Sequence, residues 1–309
     1  MVEQGVPLRE SPSRQRPSRG RIAARRVLAL VVLIGGLALA VWLVVSALGS
    51  VGGGNEEAAK PVAPVAPPVL RIIFPEGFTR EQMAARIKAV NQIARDKRKI
   101  NPRLSAKAYL AATARSKIPA TFAKDKKRRN LEGFLFPSTY QFEPQTTSRQ
   151  LVNRQLQAFE ENWGKVDLAY AKSKNLTPYD VLIIASIVEK EVSAPEERPL
   201  VAAVIYNRLK AGMNLGIDAT TRYGLHVPPT EPLRQSHLDS SNPYNTRNQN
   251  ILGLPPGPIA NPGLASMQAA AHPAKTDYLF FVRKPDKVHH FFTASEQEFN
   301  AYVAANGVG

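Results

Sequence analysis

The longest apolar run in the chain, VLALVVLIGGLALAVWLVVSAL at residues 27–48, contains no charged side chain. At about 1.5 Å per residue a helix of that length spans about 33 Å, enough for a bilayer core of about 30 Å. A long helix in a soluble core would keep a polar stripe, and a cleavable signal usually has only about 7–15 apolar residues. The run therefore reads as a retained single-pass anchor. Residues 1–26 place Arg9, Arg14, Arg16, Arg19, Arg21, Arg25 and Arg26 among prolines and serines. Such a segment buries little apolar surface and reads as a disordered tail, kept on the cytoplasmic side by its charge. Residues 49–68 pass from glycine-rich to proline-rich and read as a spacer.

From residue 69 the apolar positions become periodic. Leu70 to Phe74 predict a strand and Pro75 to Gly77 a turn. Thr79 is a candidate N-cap, with Glu81 and Gln82 in the first turn of the helix that follows. A further helix is expected over about 105–116, and the aromatic stretch 130–144 reads as a strand and loop. Leu151, Leu156 and Phe159 give helical spacing over 147–163. Thr177 and Pro178 open the helix that runs through VLIIASIVEKEV at 181–192. APEERPLVAAVIYNRLKAG, 194–212, predicts another helix, closing at Gly212. Residues 214–264 are dense in Gly, Pro, Asn, Asp and Thr and read as a long loop region. Tyr223, Tyr244, Leu252 and Leu254 argue that it is ordered. LASMQAAAHP predicts a small-residue helix stopping before Pro273. DYLFFVRK and HHFFTAS, separated by PDK, predict a hairpin, and SEQEFNAYVAA a last helix. The fold class expected is α+β.

The helix opening at Pro178 raises the chemical question, because an apolar run ends in Glu189 and Glu191. Residues three and four apart share a face, so Glu191 lies beside Ile187 and Val188, while Glu189 lies beside Ala185 and Ser186. If the isoleucine stripe is buried, Glu191 is the acid carried to the core boundary. A carboxyl there would hold its proton near neutral pH, as a general acid must. A frayed helix end with two solvated acids is the alternative that periodicity leaves open.

Charge adds less. The net charge is +16 over 309 residues, part of it in the tail and part in KDKKRR at 124–129. A solvated basic face accounts for the second block. Zinc-finger spacing and an RNA-recognition aromatic signature are both missing, so nucleic acid is not an expected partner. The chain has no cysteine, and the spacings of His226, His237, His272, His289 and His290 match no zinc signature, so neither metal nor cofactor is expected.

The stretch ASIVEKEV, 185–192, resembles the signature of the endolytic murein transglycosylases, the YceG-like family. The resemblance continues through LEGFLFPSTYQF (131–142), VAAVIYNRLKAGMNLGIDATTRYG (201–224), NPYNTRNQNILGLPPGPIANPG (242–263) and AAAHPAKTDYLFFV (269–282). It implies a single-pass inner-membrane enzyme that cuts nascent peptidoglycan strands internally and leaves 1,6-anhydro ends. On that reading 69–145 is a membrane-proximal α+β segment and 146–309 the catalytic region, extracytoplasmic, with a loop-rich glycan cleft. The second glutamate of EKE, Glu191, takes the catalytic place. Glu189, Asn207, Arg208, Asp218, Thr220, Tyr223, Tyr244 and Asn245 are the expected substrate-binding or site-supporting residues. The partners implied are peptidoglycan strands, membrane lipid and the cell-wall synthesis machinery. Val192 stands where many members have Ser or Thr, and Ser138 where an acid is usual after the proline. A hydrolytic muramidase pairing Glu191 with Asp218, and a non-catalytic peptidoglycan-binding scaffold, are the rival readings.

Overall fold

Capping chemistry at Thr79, Thr147 and Thr177 places three of the helices that build the core. The computed structural model describes residues 68–114, 116–122 and 130–307, together with Leu39. The tail, the anchor apart from Leu39, the spacer apart from residue 68 and the whole 124–129 basic block lie outside the described residues. Among the described residues no helix is long and apolar enough to cross a membrane.

Strand β1 (Leu70–Ile73) pairs antiparallel with β2 (Thr139–Phe142), Leu70 opposite Phe142 and Ile73 opposite Thr139. Between them in sequence lie α1 (Arg80–Arg98) and α2 (Ala106–Ala114). Thr79 caps α1 with a full capping box, its side chain accepting from the Gln82 N–H while Gln82 returns the bond. Thr147 does the same for α3 (Ser148–Trp163) through Gln150. Phe122, Phe134, Phe159 and Trp163 pack as an aromatic cluster, with Phe122 and Phe134 edge-on at 4.9 Å. A short α4 (Ala169–Ser173) leads to α5 (Pro178–Glu191), capped by Thr177 with Asp180 and started by Pro178.

Every residue of α5 from Tyr179 to Val188 is buried. A helix apolar on all sides has to lie inside the molecule, and α5 is packed between α6 (Arg198–Ala211) and α9 (Leu264–Ala271). Only its last turn reaches the surface. Residues 66–309 form one compact unit, and the segments before and after residue 145 feed the same hydrophobic core.

The expected loop region 214–264 is partly helical, which corrects the sequence reading. It contains α7 (Asp218–Leu225) and α8 (Gln235–Leu238). Both are too short for a periodic apolar stripe to develop, and that is why the pattern missed them. The hairpin forms as β3 (Phe280–Arg283) and β4 (His290–Thr293), followed by α10 (Glu296–Asn306). Its connection, 284–289, is longer than the sequence suggested.

Gly133 shows how closely the segments meet. It sits at φ +88°, and a Cβ there would come within 2.6 Å of Pro258 and 3.2 Å of Leu182. Gly133→Ala therefore meets both backbone strain and overpacking, and should lower stability by about 2–4 kcal/mol in chemical denaturation. An unchanged unfolding midpoint would show that the loop yields instead.

Candidate active site

The C-terminal turn of α5 opens onto a cleft of about 2110 Å³. That volume exceeds the few hundred to about 1,000 Å³ of a small-molecule pocket and suits a length of polymer. Its walls include Glu191, Asp218, Tyr223 and Tyr244, with Arg247, Arg283, Lys284 and Lys287 on the basic side. The Tyr223 and Tyr244 rings pack 5.1 Å apart and present an aromatic wall.

Glu191 is half-buried on this wall. Burial, and then the carboxylate of Asp218, push its pKa up from 4.5 to about 7. Arg283, the backbone N–H of Ala219 and Lys190 act in the opposite direction. The amide is at the start of α7, so a carboxylate formed at Glu191 has helix N–H dipole nearby. Asp218 itself pairs with Arg247 at 3.4 Å. Arg283 Nη2 also donates to the Glu191 carbonyl at 3.2 Å.

Glu189 does different work. Its Oε2 accepts from the Gly263 N–H at 3.0 Å, which caps the start of α9. It is absent from the cleft wall, so the two acids of EKE separate as the helical spacing indicated. Val192 turns its side chain against the core, and Ser138 is exposed at the start of β2, its carbonyl accepting from the Phe74 N–H at 3.0 Å. Neither departure from the family pattern lies on the cleft wall.

The remaining expected residues divide into wall and frame. Asn207 Nδ2 donates to the carbonyls of Thr276 and Tyr278 at 3.0 and 2.9 Å. Arg208 binds the carbonyls of Leu279, Asn214 and Leu215 and lies over the Phe280 ring. Both tie α6 to the strand leading into the hairpin, although Arg208 also borders the cleft. Thr220 is fully buried, donating to the Ile217 carbonyl at 2.7 Å with Thr246 Oγ1 2.8 Å away. Asn245, equally buried, donates to the carbonyls of His237, Leu238 and Ser240 and accepts from Thr221. Neither side chain can reach a substrate; they hold α7 and the 235–248 loops in place.

Sequence reasoning passed over Glu132, inside LEGFLFPSTYQF. It is 3% exposed, and its oxygens accept from the Arg80 N–H at 3.1 Å, Asn261 Nδ2 at 2.8 Å and the Tyr223 hydroxyl at 3.2 Å. Burial is the main cause that pushes its pKa to about 8, with Glu81 adding to it. The available signal was an acid set between Leu131 and a glycine-aromatic run, where a solvated side chain has no room. His290 and Glu197 were also passed over as a pair; the ring Nδ1 lies 2.6 Å from Glu197 Oε2, both buried. The other histidines take separate partners: Asp286 and Glu196 for His289, Asp167 for His272 and the Arg234 N–H for His237.

Residues 55–305 match the model of the YceG-like family. The chain belongs to the YceG-like family. Among curated relatives it is 32% identical to an endolytic murein transglycosylase of Streptococcus pneumoniae R6, over 82% of this chain and 46% of that protein. It is also 32% identical to an endolytic murein transglycosylase of Bacillus subtilis 168, over 74% of this chain and 63% of that one. The chain thus spans about half the length of the pneumococcal relative and less than two thirds of the other. The crystal structure of a yceG-like protein of Listeria monocytogenes superposes with a TM-score of 0.63 at 29% identity, covering 78% of this chain and 76% of that one. The mixed α/β architecture of this YceG-like chain is therefore that of a solved relative.

Glu132 yields a pH prediction for this family member. Its pKa is raised on folding, so its contribution is complete below about 4.5 and is lost as pH rises toward about 8, the unfolded chain releasing the proton first. Glu132→Gln, neutral throughout, should flatten part of that decline in denaturant midpoints. A decline of unchanged steepness in the variant would mean that Glu132 is ionised in the fold at neutral pH.

Proposed function

We propose that this protein is a membrane-anchored endolytic transglycosylase that cleaves the β-1,4 bond between N-acetylmuramic acid and N-acetylglucosamine in nascent peptidoglycan. The observation that carries the reading is Glu191, a carboxyl held near neutral pKa on the wall of a polymer-sized cleft. In this scheme residues 27–48 cross the cytoplasmic membrane, 1–26 stay in the cytoplasm and the cleft works outside. Association with the cell-wall synthesis machinery belongs to the same proposal, as does shortening of the strands it makes.

The reaction needs one carboxyl used twice. Protonated Glu191 gives its proton to the glycosidic oxygen, and the bond from that oxygen to the muramyl C1 breaks. The leaving N-acetylglucosamine departs with a free 4-hydroxyl. The Glu191 carboxylate then takes the proton of the muramyl C6 hydroxyl as its oxygen bonds to C1 and closes the 1,6-anhydro ring. Water is not consumed, and Glu191 ends protonated as it began. Opposed influences suit such a group: burial and Asp218 favour the acid, while Arg283, Lys190 and the Ala219 amide favour the carboxylate. Tyr223 and Tyr244 supply a ring surface against which sugar faces can pack.

Asp218 supports a second reading, because its charge is felt at Glu191. A hydrolytic muramidase would use the two carboxyls on opposite sides of the scissile bond, with water as the final acceptor. The test digests uncrosslinked strands with the protein and identifies the new ends by mass spectrometry. Anhydromuramyl ends are expected; reducing muramyl ends would establish the muramidase, and intact strands a binding scaffold. Glu191→Gln should lower turnover by about 10²–10⁴-fold, whereas Glu189→Gln should act mainly on stability. Because the acid must be protonated, kcat/KM should fall as pH rises above about 7. Full activity in Glu191→Gln would sink the assignment.

A further inference from the structure

The corner between α5 and α6 begins at Glu191 and ends at Glu197, and one cross-strand pair of the hairpin grips both ends. Arg283 on β3 and His290 on β4 are register partners, so their side chains leave the hairpin on the same face. Arg283 reaches the carbonyl of Glu191 at 3.2 Å. His290 reaches Glu197 twice: its backbone N–H donates to Oε1 at 2.9 Å, and ring Nδ1 lies 2.6 Å from Oε2. The neighbouring residues repeat the pairing in looser form. His289 Nε2 is 3.6 Å from Glu196, and its Nδ1 is 3.0 Å from Asp286 at the turn.

Burial excludes a direct chemical role for the inner pair. His290 borders the cleft, but the His290 and Glu197 side chains are only 2% and 8% exposed, and ring Nδ1 is engaged by Glu197. Yet the pair is costly to bury, and a corner needing only packing could be filled by apolar groups. What it secures is the hairpin, and with it the guanidinium beside Glu191. We propose that Glu197 and His290 are positioning residues that hold Arg283 at Glu191 and so set the proton affinity of the acid. This rests on the reading of Glu191 as the proton donor.

The groups facing Glu191 are Asp218 from α7, which favours its proton, and Arg283 from β3, the Ala219 amide and Lys190, which oppose it. Beside the inner pair, His289 feels Glu197 and itself contacts Glu196 and Asp286. Releasing Arg283 removes an opposing influence, so the Glu191 midpoint rises. Direct loss of the Glu197 negative charge would move it down, which makes the direction of change informative.

The test follows the side-chain carboxyl ¹³C signal of Glu191 with pH in the full-length protein, together with the pH profile of strand cleavage. His290→Phe should raise the midpoint by about 1 unit, the scale of one nearby opposite charge. Arg283→Met should raise it as far, and the double variant no further than either. His290→Asn keeps a donor near the Nδ1 position and should restore most of the original midpoint. The alkaline limb of kcat/KM should move with the NMR midpoint. His290→Leu, smaller than Phe and equally without a donor, should shift the midpoint as far and decides the matter if His290→Phe does not fold. Thermal stability lowered with the midpoint unmoved, or moved down, overturns the proposal and leaves the pair a purely structural clamp. An upward shift by NMR in a protein that cuts no strands would support the positioning and reject the activity.

Discussion

The cleft depends on a carboxyl group that does not line it. Glu132 lies on the segment leading to β2 and accepts from Arg80 at the start of α1, Asn261 in the glycine-proline loop and Tyr223 on α7. Those partners come from the N-terminal α+β segment and from both walls of the site. Asn261 is equally committed: Oδ1 accepts from the Leu135 N–H and Nδ2 also donates to the Phe78 carbonyl. Removing one member would leave buried polar groups unpaired, which costs about 1–3 kcal/mol for each neutral group and more for a charge. An apolar side chain at 132 could fill the space, but it could not fix three backbone segments in one relative geometry.

Three glutamates of the same intrinsic acidity receive different tasks from their surroundings. Glu189 receives a backbone N–H and closes α9, a use of carboxylate charge that favours helix N-termini. Glu132 is enclosed and tied, and its raised pKa is a consequence of structural burial. Glu191 is only half-buried, is faced by both signs of charge and keeps access to the cleft. A raised pKa alone would therefore have selected Glu132 as readily as Glu191. Access to the cleft separates them, and the proposed chemistry rests on the group that combines both properties.

The long elements were legible from the residues because their signals are local. Thr79 and Thr177 cap helices as expected, each with a capping box that Thr147 repeats, and the apolar run of α5 predicts its own burial. The spacing within EKE also distinguished Glu191 from Glu189. The contacts across the fold were not legible. Of the two roles expected for Thr220 and Asn245, sugar binding or support of the site, their buried bonds to backbone carbonyls leave support. Glu132 and Asn261 are 129 positions apart, and His290 and Glu197 are 93 apart. No periodicity spans such distances; only the closed chain defines those partners.

This division bears on why a cleft can be built from so polar a segment. Residues 242–263 offer few apolar anchors, and ordering them at the moment of binding would subtract conformational entropy from substrate affinity. The loop instead spends its hydrogen bonds internally. Asn242 Nδ2 donates to the Gly224 carbonyl at 2.9 Å, the Gly216 N–H donates to the Thr246 carbonyl at 2.8 Å, and the Ile259 N–H donates to Ser186 Oγ at 3.0 Å. The last bond anchors the loop to α5, the helix that carries Glu191. Wall and acid are consequently held by one helix, so under the proposed function a strand lying along the tyrosines would meet a carboxyl already in place. Val192, the residue that ends α5, is partly buried and packs against the core, and the setting of Glu191 is left to Arg283, Asp218, the Ala219 amide and Lys190.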